Sequence, residues 1–276
     1  MPGLDMAESL WHSDPGIRIF MVTYEREIQT ALEITREAGA KALYYFDHGV
    51  PIEEKHDDSP VTAADRECEK LIRERLQETY PEDGILGEEG TRIVSRSGRR
   101  WIIDPIDGTR DFVRKNSFWS VQVALQSDAQ VVLGVIYCPC LDKMLYASIA
   151  SGCFLNGDRV MASDITSLDK SILMVSGFKA AWDSWPPEAL RLLTRKCWTV
   201  RCYGGCYDVI TLATGKADIW LSGSGMEWDY APVQIIAREC GARFLTKEGD
   251  NRIDAKHCVV CAPGIEAELR KTLGIP

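Results

Sequence analysis

The stretch that most constrains the fold of this chain runs from residue 101 to residue 112 and reads Trp-Ile-Ile-Asp-Pro-Ile-Asp-Gly-Thr-Arg-Asp-Phe. Its apolar start predicts a buried strand, and a bend made by proline and glycine follows. Asp104 and Asp107 supply the hard oxygen ligands that Mg²⁺ prefers, and the bend frees the Ile106 carbonyl from pairing with a neighbouring strand. The stretch therefore predicts a metal site at the end of a strand.

The two residues after Asp107 add a feature that suits an anion. Gly108 permits close approach of the backbone, and the N–H groups of Gly108 and Thr109 would point at an anion if a helix begins there. A plain strand-to-helix turn with an aspartate cap gives the same short pattern. The interpretation as a metal and phosphate site therefore requires further ligands elsewhere in the chain.

The length of 276 residues and the hydrophobic share of 45% suffice for one large domain or two modest ones with a shared interface. No apolar run is long enough to cross a bilayer. The N-terminus also lacks a basic segment followed by an apolar one and a small-residue cleavage site. We therefore expect a cytoplasmic protein without a membrane segment.

The formal net charge of −9 argues against a nucleic-acid backbone as the main partner, because no basic cluster is available to neutralise its phosphates. A small phosphorylated metabolite is compatible with this charge, since bound divalent cations reverse the sign of an acidic pocket.

Ten cysteines raise the question of disulfides or zinc. Most lie inside apolar runs of a long chain without a secretion signal, which favours reduced thiols in the core. Zinc would need the pairs Cys138-Pro-Cys140 and Cys258-x-x-Cys261, which lack the glycine-rich knuckles of a structural zinc site.

The first part of the chain predicts a loose extension followed by two helices. Residues 1–20 show no sustained period, whereas apolar residues recur at helical spacing from Tyr24 to about Gly49. In the second helix Thr62 is placed to cap, and Asp65 falls in the first turn. Asp65 either only interacts favourably with the helix dipole or also faces the metal site.

A predicted strand at residues 85–87 ends in the adjacent carboxylates Glu88 and Glu89. Such a pair near other acids is costly unless a cation compensates it. The segments 120–125, 131–138 and 144–148 have the length, β-branching and turn punctuation of antiparallel strands, and Asn156-Gly157 predicts a hairpin turn.

Near residues 168–170 the pattern changes to strands that alternate with helices, which predicts an α/β part with a small sheet. Gly204-Gly205 precedes a predicted helix at 208–214, and the two glycines serve either close packing or substrate access. A predicted strand at 217–221 is followed by a helix that Trp228-Asp229 opens and that ends near Cys240.

The expected organisation has three segments. An extension (1–20) precedes an N-terminal α+β part with the metal motifs (21–168) and a C-terminal α/β part (169–276). We expect the last two parts to form one catalytic unit.

Four motifs in this order carry a resemblance to a known family. They are K-x-D-x-S-P-V-T-x-A-D at 55–65, G-E-E at 87–89, D-P-I-D-G-T-x-x-F at 104–112 and W-D-x-A at 228–231. They resemble the inositol monophosphatase superfamily of Mg²⁺-dependent, often lithium-sensitive phosphatases, and the likeness extends from about Tyr24 to the end. The resemblance implies the layered αβαβα sugar-phosphatase fold, an α/β (α+β) architecture, and commonly a homodimer.

The resemblance also implies a ligand set for two to three Mg²⁺ ions. This set consists of Asp65, Glu88, Asp104, the Ile106 carbonyl, Asp107 and Asp229. We assign Glu88, Asp104 and Ile106 to the first ion. Asp104, Asp107 and Asp229 would hold the second ion, so Asp104 would bridge the two. A weaker third ion would lie near Asp65 and Glu88.

Catalysis is expected from Thr109, Glu88 and Asp65. Thr109, linked to Asp65 or Glu88, would orient a metal-activated water for in-line attack on phosphorus. No phosphoenzyme is needed, and the sequence has no G-x-S-x-G elbow. The expected substrate and phosphate contacts are Lys55, Gly108, Thr109, Gly204, Gly205, Cys206 and Asp229.

The expected reaction is hydrolysis of a small phosphate monoester, either inositol-phosphate-like or histidinol phosphate. Inositol monophosphatases typically carry a glutamate before the W-D motif that grips sugar hydroxyls, whereas this chain has Ser222-Gly-Ser-Gly-Met226. The segments 84–89 and 204–207 are similar to those of histidinol-phosphate phosphatases.

Two alternative functions remain. The string at 55–65 is also similar to that of bisphosphate nucleotidases, which act on 3′-phosphoadenosine 5′-phosphate. A hypothesis of another class is a regulatory protein that binds RNA or RNA polymerase and has only vestigial catalysis. The acidic net charge and the complete ligand set argue against this last alternative.

Overall fold

The computed structural model describes residues 23–49, 52–54 and 60–276. The extension predicted at residues 1–20 and the predicted substrate contact Lys55 lie outside the described residues. Among the described helices, none combines the length and the apolarity that crossing a bilayer would require.

Two helices form the first layer, α1 (Glu25–His48) and α2 (Ala63–Thr79), and a ribbon of β1 (Ile52–Glu54) and β2 (Pro60–Thr62) connects them. The apolar period predicted both helices correctly. The predicted cap of α2 is also present. The Thr62 hydroxyl accepts a bond from the Ala64 N–H, and the Asp65 carboxylate accepts one from the Thr62 N–H.

An eight-stranded sheet forms the second layer. Its strands are β3 (Gly84–Gly87), β4 (Arg92–Ile93), β5 (Arg99–Asp107), β6 (Ser120–Ser127), β7 (Gln130–Cys138), β8 (Lys143–Ser148), β9 (Gly152–Leu155) and β10 (Asp158–Val160). They lie in the order β10-β9-β8-β7-β6-β5-β3-β4, and β3 and β5 form the parallel pair in an otherwise antiparallel sheet. The predicted hairpin at Asn156-Gly157 joins β9 to β10.

A second sheet of five strands follows in the chain. Its strands are β11 (Ile172–Ser176), β12 (Thr199–Arg201), β13 (Ile219–Ser222), β14 (Arg243–Leu245) and β15 (Cys258–Cys261), in the order β12-β11-β13-β15-β14. The small sheet predicted for this half is therefore confirmed, and it has both parallel and antiparallel pairs.

The remaining helices are α3 (Thr109–Val113), α4 (Phe178–Ser184), α5 (Pro187–Lys196), α6 (Gly205–Ala213), α7 (Glu227–Glu239) and α8 (Glu266–Leu273). Single turns of 3₁₀ helix lie at Pro139–Leu141, Leu168–Lys170 and Pro263–Ile265. The predicted start of α6 at Asp208 was too late. The helix begins at Gly205, because Gly204 turns the chain with a φ of 143° that other residues rarely adopt.

Three buried cores lie between the five layers, and the second of them fills two of the interfaces. The first core lies between the pair α1 and α2 and one face of the eight-stranded sheet. The second core packs the opposite face against α6, α7 and the five-stranded sheet. The third core lies under α4, α5 and α8 on the outer face of that sheet. The predicted αβαβα layering is confirmed.

The cysteines of the two pairs that were considered for zinc are free thiols, as predicted for reduced cysteines. Cys138, Cys258 and Cys261 are buried, as expected of core residues. Within the described part of the chain, the side chains placed to hold a metal ion are carboxylates, so zinc binding by these cysteines has no support.

Candidate metal centre

The centre of the site is the end of β5, where Asp104 and Asp107 reach the same side of the sheet. Side chains three positions apart in a regular strand point to opposite faces. Here the pairing with β6 is irregular, since Asp104 lies opposite Gln122 and Asp107 lies opposite Ser120. Three steps on β5 therefore match two steps on β6, and this bulge lets both carboxylates face one site.

The first turn of α7 supplies a third carboxylate. The Met226 N–H donates to Asp229 Oδ2 at 2.6 Å, which fixes the aspartate at the helix start. Asp104, Asp107 and Asp229 each offer an oxygen, and these oxygens lie within 4.8 Å of one another. Asp104 is buried, and its Oδ1 has no hydrogen-bond partner within the described structure. A buried oxygen of this kind is a ligand atom that a cation would satisfy.

Burial and mutual repulsion keep these carboxyl groups from ionising at their usual pH. Desolvation, followed by the charges of Glu88, Asp107 and Asp229, raises the pKa of Asp104 well above its usual value. Desolvation and the Glu88 charge raise the pKa of Asp107 to about 6. Desolvation and the Asp107 charge raise the pKa of Asp229 to about 8. The donor set thus fits a divalent cation, which would offset this repulsion.

Glu88 lies at the end of β3, the strand that runs parallel to β5. Its N–H donates to the Ile103 carbonyl at 3.2 Å, which ties it to the strand that carries Asp104. Its side chain hydrogen-bonds with Asp104 and adds to the rise in the pKa of that carboxyl, after desolvation and the neighbouring charges. Glu88 therefore borders the three aspartates, although it is not part of the set within 4.8 Å.

Asp65 and Thr109 form a second contact beside this set. Asp65 Oδ2 accepts from the Thr62 N–H at 2.8 Å and from the Thr62 hydroxyl at 2.6 Å. The Thr109 hydroxyl lies 3.5 Å from Asp65 Oδ1 and 3.1 Å from the Ile106 carbonyl. Asp65 is thus both a cap of α2 and a neighbour of Thr109, so the two readings of this residue are compatible.

Two glycines bring backbone close to the aspartates. Gly108 takes a φ of 83°, and a Cβ there would lie 3.0 Å from the Phe118 carbonyl. A Cβ on Gly205 would lie 3.1 Å from Asp107 Oδ2, so the start of α6 approaches the carboxylate directly. Gly204 packs on Phe118 in the same way, with 3.0 Å between the built Cβ and that side chain. The side chain of Cys206 is not described.

A polar cavity of about 90 Å³ adjoins Asp107 and Asp229 between the two sheets. Hydroxyl and amide side chains contribute to its lining, among them Ser176, Ser222, Ser224 and Gln122. The cavity extends inward to apolar residues of the central core, including Val209 and Val233. A small polar group could occupy this space.

Ser120 and Gln122 are site residues that the sequence analysis missed. The Ser120 hydroxyl lies 3.4 Å from Asp107 Oδ2, and hydrogen bonds from both side chains oppose the rise in the pKa of Asp107. The available signal was their alternation with Val121 and Val123 in a strand adjacent to β5. Polar residues at every second position of a buried strand mark a face that meets a polar site.

The model of the inositol monophosphatase family matches residues 24–273. The chain belongs to this family. A histidinol-phosphatase of Chlorobaculum parvum is 37% identical over 231 residues, which cover 82% of this chain and 88% of that protein. An inositol-1-monophosphatase of Bacillus subtilis is 30% identical, with 78% of this chain and 83% of the relative covered.

Solved structures of the family have the same fold. An inositol monophosphatase of Thermotoga maritima superposes with a TM-score of 0.81 at 25% identity, over 90% of this chain and 97% of that one. Members of the inositol monophosphatase family are generally Mg²⁺-dependent, and this chain is a hydrolase of phosphoric monoesters.

Proposed function

We propose that this protein is a Mg²⁺-dependent phosphatase that hydrolyses a small phosphate monoester at the carboxylate cluster. The observation that carries the proposal is the convergence of Asp104, Asp107 and Asp229 within 4.8 Å, with Asp104 Oδ1 buried and lacking a hydrogen-bond partner in the described residues. Buried acids that repel one another in this way suit a cation as their common partner.

The proposed ligands are the three aspartates, Glu88, Asp65 and the Ile106 carbonyl, which would hold two to three Mg²⁺ ions. Bound Mg²⁺ would neutralise charge on the phosphate and lower the pKa of a water. Asp104 is the proposed bridging ligand because it lies near both groups of ligands. It precedes Asp107 on β5, and its side chain hydrogen-bonds with Glu88.

Thr109 is the proposed residue that orients the attacking water. Its hydroxyl lies within reach of Asp65 and of the Ile106 carbonyl, at 3.5 and 3.1 Å. The Thr109 hydroxyl can donate a hydrogen bond to Asp65. The hydroxyl oxygen is then available to accept a hydrogen bond from water. Backbone N–H groups of Gly108 and Thr109, with Lys55 and the segment 204–206, are the proposed phosphate and substrate contacts.

Histidinol phosphate is the proposed first substrate. The support is the 37% identity to a histidinol-phosphatase across most of both chains. The cavity beside Asp229 also presents the hydroxyls of Ser176, Ser222 and Ser224, where a carboxylate would be expected for gripping a polyol. Inositol 1-phosphate is the second candidate, since an inositol-1-monophosphatase is 30% identical. 3′-Phosphoadenosine 5′-phosphate remains the alternative of the nucleotidase class.

The testing experiment measures inorganic phosphate release from histidinol phosphate, inositol 1-phosphate, 3′-phosphoadenosine 5′-phosphate and fructose 1,6-bisphosphate, with Mg²⁺ and with EDTA. We expect one substrate to be turned over far faster than the others, and only with Mg²⁺. The exposed hairpin variant Asp158→Asn is the matched control for Asp104→Asn, because it removes a carboxylate far from β5 in the chain. Equal release in EDTA and Mg²⁺ would contradict the proposal.

Three further proposals concern the state of the protein in the cell. A homodimer is proposed from the family resemblance, and sedimentation analysis tests it. A cytoplasmic location is proposed from the sequence. The alternative of an RNA-binding regulator predicts stoichiometric RNA after gentle purification, which the net charge of −9 opposes.

A further inference from the structure

A second buried carboxylate on α2 contacts the turn that carries Glu88. Glu69 lies four positions after Asp65 on the same helix and is only 3% exposed. Its Oε2 accepts from the Glu89 N–H at 2.7 Å, and its Oε1 accepts from the Thr91 N–H at 2.9 Å. Both carboxylate oxygens therefore hold the backbone that follows β3.

The turn at residues 87–91 is built around this carboxylate. A Cβ on Gly87 would lie 2.4 Å from Glu69 Oε2, so a side chain there would displace the carboxylate from its place. The Gly87 N–H donates to the Thr91 carbonyl at 2.9 Å and closes the turn. The guanidinium of Arg92 contacts the carbonyls of Gly87 and Thr91 as well. The glycine and the buried acid thus form one fitted unit.

The two peptide groups that flank Glu88 are both hydrogen-bonded through their N–H groups. The Glu88 N–H is held by the Ile103 carbonyl at 3.2 Å. The next N–H in the chain, that of Glu89, is held by Glu69. With the peptide groups before and after Glu88 both held, its φ and ψ have little freedom, and its side chain hydrogen-bonds with Asp104.

We propose that Glu69 is a positioning residue for the metal centre, whose carboxylate holds the backbone that aims Glu88 at Asp104. This inference rests on the proposed role of Glu88 as a metal ligand. It also gives α2 a function beyond packing. One face of the helix presents Asp65 to Thr109 and, one turn later, Glu69 to the Glu88 turn.

The two N–H donors at Glu69 suit an acid better than an amide. A carboxylate accepts a hydrogen bond at each oxygen, so it satisfies both N–H groups at once. A glutamine of the same size has one accepting oxygen, and its NH₂ group would face the second N–H donor. Glu69→Gln therefore releases one of the two bonds while it keeps the volume of the side chain.

The test is calorimetric titration of the metal-free protein with Mg²⁺. Four proteins are compared, namely wild type, Glu69→Gln, Glu88→Gln and the double variant. Glu67→Gln is the matched control, because Glu67 lies on the same helix and pairs at the surface with Lys41 at 2.7 Å. We expect Glu69→Gln to weaken Mg²⁺ binding at least about fivefold, and Glu67→Gln to change it less than about twofold.

The double variant separates positioning from a general loss of stability. If Glu69 acts through Glu88, adding Glu69→Gln to Glu88→Gln causes little further weakening, because coupled residues are not additive. A Glu69→Gln protein that binds Mg²⁺ as wild type does, or independent effects in the double variant, would overturn the inference while Glu88 remains a ligand. If Glu88→Gln itself leaves Mg²⁺ binding unchanged, the proposed ligand role of Glu88 fails and the inference fails with it.

A second variant approaches the same contact from the other side. Gly87→Ala leaves the Glu69 side chain itself unchanged. The added methyl group would overlap the position of the Glu69 carboxylate. We expect the same weakening of Mg²⁺ binding, and a higher Mg²⁺ concentration for half-maximal phosphate release with KM for the substrate little changed. A Gly87→Ala protein with wild-type Mg²⁺ affinity would overturn the proposal. A lower melting temperature without a change in Mg²⁺ affinity, in either variant, would likewise leave Glu69 a merely structural residue.

Discussion

Proton release on metal binding is the sharpest consequence of the site geometry. In the metal-free protein, desolvation and neighbouring charges raise the pKa of Asp107 to about 6 and that of Asp229 to about 8. The same causes raise the pKa of Asp104 well above its usual value. Near neutral pH, Asp107 is thus mostly ionised, whereas Asp229 mostly holds its proton.

A divalent cation binds the ionised form of a carboxylate, so Mg²⁺ must displace the protons that remain. At about pH 7 we expect release of about one proton per site, mainly from Asp229. Mg²⁺ affinity should then rise about tenfold per pH unit around neutrality, with the slope falling once the pH exceeds the Asp229 pKa of about 8.

The same pKa values determine how stability depends on pH. These carboxyl groups have pKa values raised above those of the unfolded chain, so the folded state holds protons that the unfolded state has released. The metal-free protein therefore loses stability as the pH rises from about 4 through about 8. Mg²⁺ at about a hundred times its Kd adds about 2.7 kcal/mol, which corresponds to a rise in Tm of about 5–10 °C for a chain of this size.

The assay is calorimetric titration in two buffers of different ionisation enthalpy, which counts the protons released. Asp229→Asn is the informative variant, since it should release about one proton fewer at about pH 7. A melting series with and without Mg²⁺ complements it, with a larger shift expected at about pH 8 than at about pH 6. Release of less than about half a proton, together with a Mg²⁺ affinity that does not change with pH, would refute the reasoning.

Three other variants test separate parts of the structure. Asp104→Asn should reduce phosphate release to less than about a tenth while circular dichroism stays native, because the proposed bridging ligand is lost. Gly204→Ala should cost about 1–3 kcal/mol in urea unfolding and lower kcat/KM, since a φ of 143° and a contact of 3.0 Å with Phe118 both oppose a side chain. Asp83→Ala should cost about 1–3 kcal/mol, because it removes the buried acceptor of the Trp101 indole N–H at 3.0 Å and one of the two carboxylates that pair with Arg99, and an unchanged Tm would argue against this.

Much of the fold was predictable because local signals agreed with the tertiary structure. The apolar period of α1 and the Thr62 cap of α2 act within a few residues of chain, so sequence alone carries them. The start of α6 was predicted too late because both glycines were interpreted as preceding the helix. A glycine with an unusual φ begins that helix instead, and φ cannot be read from a sequence.

Within the site, predictability depended on how far apart in the chain the partners are. The motif at 104–112 placed Asp104, Asp107 and the helix start correctly, since these lie in one continuous segment. Ser120, Gln122 and Glu69 were missed because their meaning comes from partners across a strand pair or between a helix and a turn. No spacing along the chain reports such a contact.

The sequence by itself determined which atoms are available, namely acids in motifs that end strands and open helices, in a chain with enough apolar residues to bury them. Only the tertiary structure decided that Asp104 and Asp107 face one side, because a bulge against β6 is a property of two strands. It also decided the charge state of the cluster. The carboxyl pKa values are raised because packing removes water from groups that are far apart in sequence, and desolvation has no counterpart in the extended chain.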